Sequence, residues 1–150
     1  MIEFYLILSA VEKVPDGVFW RLLGGSVVML GFGYAGEVGL MDAKVAFVPS
    51  MAAWFFIIWE IFRGEASRIN AGLSNVNVQK AYKYMLILVT VGWAIYPIGY
   101  FVGYFMEAAD SGALNLIYNI ADCWNKIAFG LVIWAAAVAD SEEKDKTAKA

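Results

Sequence analysis

The clearest chemical signal in this chain is a carboxylate and an amine inside a stretch otherwise suited to lipid. Residues 116–134, LIYNIADCWNKIAFGLVIW, are mostly apolar but include Asp122 and Lys126. Residues four apart on an α-helix lie on one face, one turn from each other, so the two can form an ion pair. Charges in a membrane core are costly and tend to face the interior of a bundle, so we expect the pair to point inward.

Two interpretations of this pair stay open. It can be a structural ion pair that locks helices together, or it can be a functional site. Ionisable residues within a membrane favour the functional interpretation, because their cost is seldom retained without a role. A lysine among apolar neighbours can also form a Schiff base with a ligand.

A second candidate feature is a stripe of large side chains at helical spacing. Its members recur at i, i+3, i+4 and i+7, and they are Trp93, Tyr96, Pro97 and Tyr100. Such a stripe is more often packing than the wall of a cofactor site. Pro97 shifts the balance, because it removes a backbone hydrogen bond, kinks the helix and opens space. The following Gly99 and Gly103 form a small-xxx-small pattern, which predicts close helix packing.

Two further features have simple structural explanations. Glu3 is the only acid in the first apolar piece, residues 1–11, and by itself reads as a carboxylate at a helix end. The stretch GGSVVMLGFGYAG, residues 24–36, would let a helix or a flat ligand approach the backbone. Close helix packing is the favoured explanation of these glycines.

The composition excludes several classes of function. The chain lacks histidine and has one cysteine, Cys123, which excludes histidine-based catalysis, histidine or thiolate metal sites and an intrachain disulfide. We therefore predict no metal site. No basic patch with interleaved aromatic residues occurs, so we predict no nucleic-acid partner. Hydrophobic residues make up 61% of the chain and charged residues 17%, with a mean hydropathy of +0.64, which is typical of a multi-pass membrane protein.

The apolar runs predict an all-α membrane protein built as a helix bundle. A span needs about 20 apolar residues, and lipid admits only helices or closed barrels. We predict four full spans and a partial one, at 18–41, 45–62, 81–106, 113–139 and 1–11 respectively. Residues 63–80 are predicted to form the longest polar loop, and EAADSG, 107–112, a turn. Residues 1–139 form one membrane domain, and 140–150 a disordered tail.

Lysine and arginine predict the orientation of the bundle. The basic residues concentrate in the first turn, in the 63–80 loop and in the tail, whereas the opposite turns carry Glu37, Asp42, Lys44, Glu107 and Asp110. Short loops rich in Lys and Arg stay in the cytoplasm. The C-terminus is therefore predicted to be cytoplasmic.

Together these stretches resemble the microbial (type 1) rhodopsins, and among them most closely the proteorhodopsins. IEFYLIL resembles the end of the family's third helix, GSVVMLGFGYAGE the fourth, GWAIYPIGYFVGY the sixth, and LNLIYNIADCWNKIAFGLVIW the seventh. The resemblance implies an incomplete seven-helix fold that begins late in the third helix. It places the primary proton acceptor outside this chain, so we expect the function to belong to a longer parent protein.

The resemblance also implies a cofactor and a set of residue roles. In that family the lysine of the seventh helix holds all-trans-retinal as a protonated Schiff base, and Lys126 matches it. Asp122 matches the acid of the counterion complex. The other matching positions are expected to contact the chromophore: Met29, Gly33, Trp54, Trp93, Tyr96, Pro97 and Tyr100. Glu3 matches the cytoplasmic proton donor of proton-pumping members, where other ion pumps carry glutamine and sensory members lack a carboxylate.

The function implied by the resemblance is a light-driven outward proton pump, which is an ion transporter and not an enzyme. The alternatives are a photosensory rhodopsin with a transducer partner, and a non-photoactive bundle whose Asp122–Lys126 pair is structural. The implied partners are retinal, protons and the lipid of a bacterial inner membrane. Relatives form pentamers or hexamers, so a homo-oligomer is expected by resemblance alone.

Overall fold

Helices account for nearly all of the chain that the computed structural model describes, which is residues 1–106 and 111–149. The α-helices in chain order are α1 Glu3–Ser9, α2 Asp16–Glu37, α3 Ala43–Arg63, α4 Glu65–Gly72, α5 Val76–Ile87, α6 Ile95–Tyr104 and α7 Ser111–Ala148. A π-helical turn, Leu88–Gly92, lies between α5 and α6. These described residues contain no strand, and the predicted all-α fold class is confirmed.

Four helical segments are long and apolar enough to cross a membrane. They are Asp16–Glu37, Ala43–Gly72, Val76–Tyr104 and Gly112–Ala148, and they coincide with the four predicted spans. The helix in the second segment, α3, has 21 residues and is longer than the 45–62 run predicted. It begins two residues before the predicted run, directly after Asp42, whose carboxylate accepts hydrogen bonds from the backbone N–H groups of Lys44 and Val45. The predicted turn at 107–112 lies largely outside the described residues.

The glycines of α2 let it approach α3 closely. A Cβ added at Gly25 would meet the side chain of Ile57, and one at Gly36 would meet Ala46. The two helices are also joined where Ser50 Oγ donates to the carbonyl oxygen of Met29 at 2.8 Å. The packing explanation is therefore confirmed at Gly25 and Gly36, whereas a Cβ at Gly24 or Gly31 would meet nothing within 4 Å.

The prediction of a polar loop at 63–80 is wrong, because this segment holds α4 and the start of α5. The buried carboxylate of Glu60 accepts hydrogen bonds from the backbone N–H groups of Glu65 and Ala66, at 3.1 and 3.3 Å, and so caps α4. Arg21 donates to the same carboxylate at 3.2 Å. Most of this polar segment is therefore helical, and its first helix is capped by a residue that precedes the segment.

The prediction of a disordered tail also differs from the structure, in which α7 runs through nearly all of 140–150. Asn75 Nδ2 donates to Asp140 Oδ1 at 2.5 Å, and Asn77 Nδ2 donates to Glu143 Oε2 at 3.1 Å. Lys144 and Asp140 form an i,i+4 ion pair at 2.8 Å. The alternating charges indicated a solvated chain. In the structure they lie on a helix, where Lys144 pairs with Asp140 one turn away, and Asp140 and Glu143 accept hydrogen bonds from the start of α5.

The buried core packs against the first part of α2, and a cavity adjoins its last part. Toward its beginning, Val18 and Leu22 are fully buried among core residues from α1, α3 and α5. Toward its end, Met29, Gly33 and Glu37 line a cavity. The core thus holds the bundle together at the end where α1 and α4 contact α5, and it leaves space further along.

Candidate functional site

A cavity of about 680 Å³ lies between α2, α3, α6 and α7. All the residues predicted to contact a chromophore line it, and they are Met29, Gly33, Trp54, Trp93, Tyr96, Pro97, Tyr100 and Lys126. Asp122 lines it as well. Small-molecule sites typically have about 300–1,000 Å³, with apolar walls and a few convergent polar groups. The cavity therefore has the size and lining of a site for an apolar ligand anchored at one polar end.

The polar end of the cavity is an ion pair supported by a tyrosine. Lys126 Nζ donates to Asp122 Oδ2, as the i,i+4 spacing predicts. Tyr96 Oη donates to the other carboxylate oxygen, Asp122 Oδ1, at 3.1 Å. The side chain of Lys126 is 74% exposed, so its amine is accessible from the cavity. An accessible amine beside a fixed carboxylate can form a Schiff base and stabilise the resulting cation.

A break in the helix brings the aromatic stripe to the cavity. The N–H of Trp93 donates to the carbonyl of Leu88, five residues back, and the N–H of Tyr96 donates to Trp93, three residues back. α6 begins only at Ile95, and Pro97 cannot donate because it has no N–H. The α-helical hydrogen-bond pattern is interrupted, but the interruption lies before the proline, at the π-helical turn and the two residues that follow.

The opposite wall comes from α2 and α3. Gly33 has no side chain to fill the space, and a Cβ there would lie 3.6 Å from Ser50 Oγ. Trp54 lines the same wall, and its buried indole N–H has no hydrogen-bond partner among the described residues. Tyr100 closes one side, because its ring stacks on Phe47 and its hydroxyl donates to the carbonyl of Ala43 at 3.1 Å.

Several lining residues were missed at the sequence level. Asn115 and Tyr118 lie seven and four residues before Asp122, which is the same face of α7, so helical spacing could have identified them. Glu37 also lines the cavity, and Tyr104 Oη donates to it at 2.9 Å. Glu37 was not singled out because its position at the end of a span indicated only an interfacial acid.

Glu3 does not line the cavity. Its carboxylate accepts a hydrogen bond from the N-terminal amine at 2.5 Å, and its side chain is 42% exposed. The next residue, Phe4, is fully buried, and its ring contacts the ring of Phe129 at 6.1 Å between centroids. Phe129 follows Lys126 by three residues on α7, so this contact places α1 beside the turn of α7 that follows the lysine.

Comparison with known proteins agrees with this geometry. Residues 1–139 match the family model described as bacteriorhodopsin-like protein. The chain belongs to that family. It is 48% identical over 143 residues to a blue-light absorbing proteorhodopsin of Gamma-proteobacterium Hot 75m4, and 49% identical over 140 residues to a green-light absorbing proteorhodopsin of Gamma-proteobacterium EBAC31A08. These alignments cover 94% and 93% of this chain but only 57% and 56% of the relatives.

A solved structure shows the same fold. The crystal structure of a blue light-absorbing proteorhodopsin from Med12 superposes with a TM-score of 0.74 at 48% identity, and covers 93% of this chain and 60% of that protein. The cofactor of this rhodopsin family is retinal, bound through a lysine Schiff base. The cavity fits such a group, because it presents an accessible lysine amine, an adjacent carboxylate and walls of aromatic and apolar side chains.

Proposed function

We propose that this chain serves a retinal-binding, light-driven outward proton pump of the proteorhodopsin type. The observation that carries the proposal is that Lys126, Asp122 and every predicted wall residue line one cavity. Relatives named as light-absorbing proteorhodopsins, at 48–49% identity, support it. The chain spans little more than half the length of these relatives, so the proposal concerns activity with the rest of a rhodopsin bundle in place.

In this proposal the polar end of the cavity handles charge. Retinal, when bound, supplies light absorption and a change of shape. Lys126 Nζ is its attachment point, and the Asp122 carboxylate supplies the negative charge that a cation there requires. A buried cation without a partner costs several kcal/mol. Tyr96 Oη holds the carboxylate in place with its hydrogen bond of 3.1 Å.

Glu3 is proposed to return a proton from the cytoplasmic side. The support is its place in the bundle, since α1 contacts α4, which contains Arg68, and α5, which contains Lys80, while Arg63 ends α3 just before α4. The resemblance puts Glu3 on the cytoplasmic side of Lys126, and the basic residues of the helices that α1 contacts support that position. In the complete bundle, a carboxylic acid on that side can donate a proton to the Schiff base as a general acid.

The same reasoning gives the expected location. We propose that the protein spans the bacterial plasma membrane with the C-terminus in the cytoplasm, because short basic segments stay inside. Homo-oligomers of five or six subunits remain a prediction from the resemblance. The alternatives are a photosensor, which Glu3 disfavours, and a bundle whose Asp122–Lys126 pair is only structural.

A visible absorption spectrum tests the proposal. The chain is co-expressed with a three-helix N-terminal fragment of a proteorhodopsin, all-trans-retinal is added, and Lys126→Ala is measured alongside. Lys83→Ala is the matched control, because Lys83 is an exposed lysine outside the cavity. We expect a visible band in the parent and the control but not in Lys126→Ala. Illumination should acidify the medium, and a protonophore should abolish the change.

The result that contradicts the proposal is equally specific. A band that survives Lys126→Ala shows that the attachment site is wrong. An absent band in all samples, with both fragments found in the membrane, favours the structural ion pair. A band without any light-driven pH change favours the photosensory alternative.

A further inference from the structure

The carbonyl of Gly92, at the end of the π-helical turn, has no backbone donor in the described chain. In an α-helix the N–H of Tyr96 would serve it, but that group donates to Trp93 at 3.2 Å instead. In a continued π-helix the donor would be Pro97, which has no N–H. A carbonyl left without a donor inside a membrane is costly, so another group has to satisfy it.

That group is the side chain of Asn125 on α7. Its Nδ2 donates to the Gly92 carbonyl oxygen at 2.9 Å, and it lies 3.5 Å from Tyr96 Oη. Asn125 directly precedes Lys126, and Tyr96 is the residue that hydrogen-bonds Asp122. One amide therefore joins the broken helix to the turn of α7 that carries the ion pair.

Glycine at position 92 is fitted to this contact. A Cβ built there would collide with Asn125 Oδ1, so any other residue would have to displace the amide. The backbone of the break and the amide of Asn125 thus approach each other as closely as they do because no side chain separates them.

We propose that Asn125 is a positioning residue that clamps the helix break to α7 and so fixes Trp93 and Tyr96 relative to Lys126. The inference rests on the proposed function, because the positioned groups are those of the chromophore site. Lys126 and the clamp share one helical turn, so a displacement of the lysine is transmitted to the break, and loosening the break changes the wall beside the lysine.

The clamp itself is tested without retinal. Hydrogen–deuterium exchange is measured on peptides covering residues 88–97, with the full chain in lipid nanodiscs. Asn125→Leu removes the donor at nearly constant size, and Asn119→Leu is the control, because Asn119 is exposed on the same helix. We expect these peptides to exchange about tenfold faster in Asn125→Leu, since the Gly92 carbonyl loses the hydrogen bond from the Asn125 amide. Exchange should be unchanged in the control.

The positioning role is tested by the visible band of the protein completed with the N-terminal fragment. Asn125→Ala and Gly92→Ala should each shift the absorption maximum and change the rate of dark recovery, whereas Asn119→Leu should not. In the double variant the added methyl at position 92 meets no amide, so the two effects should be less than additive.

The outcomes are separable. Exchange in Asn125→Leu equal to the control overturns the clamp. Faster exchange with an unchanged band and recovery overturns the positioning role. A completed parent protein with no visible band refutes the proposed function and the positioning role together, while the exchange data still decide whether the clamp exists.

Discussion

Two ion pairs in this chain use the same chemistry in different surroundings. Glu60 is 1% exposed, and its carboxylate accepts hydrogen bonds from Arg21 and from two backbone N–H groups at the start of α4. Glu60 does not line the cavity between α2, α3, α6 and α7. Asp122 and Lys126 instead line a cavity with the amine exposed. Burial of Glu60 indicates a structural role for its ion pair with Arg21. The open cavity beside Lys126 indicates that its ion pair with Asp122 belongs to a ligand site.

The structural role of Glu60 gives the first prediction. Glu60→Gln leaves Arg21 without its buried partner and weakens the cap of α4, so we expect a loss of about 2–3 kcal/mol in unfolding free energy. Glu65→Gln is the matched control. Its carboxylate also binds Arg21, at 2.6 Å, but is 42% exposed, so the expected loss is under about 1 kcal/mol. The measurement is loss of helical circular dichroism during denaturation by SDS.

Equal losses of unfolding free energy in the two variants would show that the burial of Glu60 does not strengthen its contribution to stability. The visible band of the completed protein should survive in both variants, because neither residue lines the cavity.

At this scale the sequence predicted the site better than its connections. Every wall residue that was predicted from helical spacing and the resemblance lines the cavity. The contact between Asn125 and Gly92 could not be predicted, because it depends on a π-helical turn for which the sequence has no local signal beyond Pro97. The role of Glu3 stays a prediction.

The packing of α6 on α7 gives a prediction at the level of elements. A Cβ at Gly99 would lie 2.6 Å from Tyr118 Oη, and one at Gly103 would lie 2.7 Å from Leu114. The close packing predicted from this glycine pair is therefore confirmed. Gly99→Val should destabilise the helix pair by about 1–3 kcal/mol through overpacking. SDS denaturation measures the loss, and Gly130→Val is the control, since a Cβ there would meet nothing within 4 Å.

A Gly99→Val protein as stable as the Gly130→Val control would mean that Tyr118 can move aside without cost. In that case the hydrogen bond from Tyr118 Oη to the Tyr96 carbonyl, 3.3 Å long, would contribute little to holding α6 on α7.

The end of α7 is predicted to depend on pH. The Lys144 ammonium, together with the Asn75 amide, holds the pKa of Asp140 below its usual range. Because the folded pKa is lowered, the contact stabilises the helical end fully above the unfolded value of about 3.9 and is lost as the pH falls through the lowered pKa. Carbon chemical shifts of residues 141–148 should therefore show a helix at neutral pH that frays once the pH is low enough to protonate Asp140.

The matched variants locate this effect. Asp140→Asn should fray the same residues already at neutral pH, whereas Asp145→Asn, in the same exposed end, should not. Fraying in Asp145→Asn alone would assign the pH dependence to general charge and not to the contact with α5.

Element boundaries were predicted well only where apolar runs define them. The four spans follow from hydropathy, and each is present. The segments at 63–80 and 140–150 were predicted without helix because they are polar. Glu60, at the end of the preceding apolar run, caps α4 from five and six residues before the N–H groups it binds. Asn75 binds Asp140 across 65 residues of sequence, a contact that local composition cannot reveal.

At the level of the whole molecule, the helix contacts place the basic segments at one end of the bundle. The end of α7 contacts the start of α5 through Asn75 and Asp140, and α1 contacts α4 and α5. The turn between α2 and α3, which includes Leu40, belongs to the other end, beside Glu37. Charge and geometry therefore agree on which parts share a side of the membrane, and the positive-inside rule predicts that the basic side is cytoplasmic.

Labelling in whole cells tests this orientation. In a Cys123→Ala background, so that the one native cysteine is absent, Leu40→Cys should react with a membrane-impermeant maleimide in intact cells. Ser141→Cys should react only after lysis. The reverse pattern would place Glu3 on the outer side of Lys126, where a carboxyl would receive a proton from the site instead of returning one. The proposed direction of pumping and the proposed role of Glu3 thus both depend on this measurement, since each requires the basic end of the bundle to face the cytoplasm.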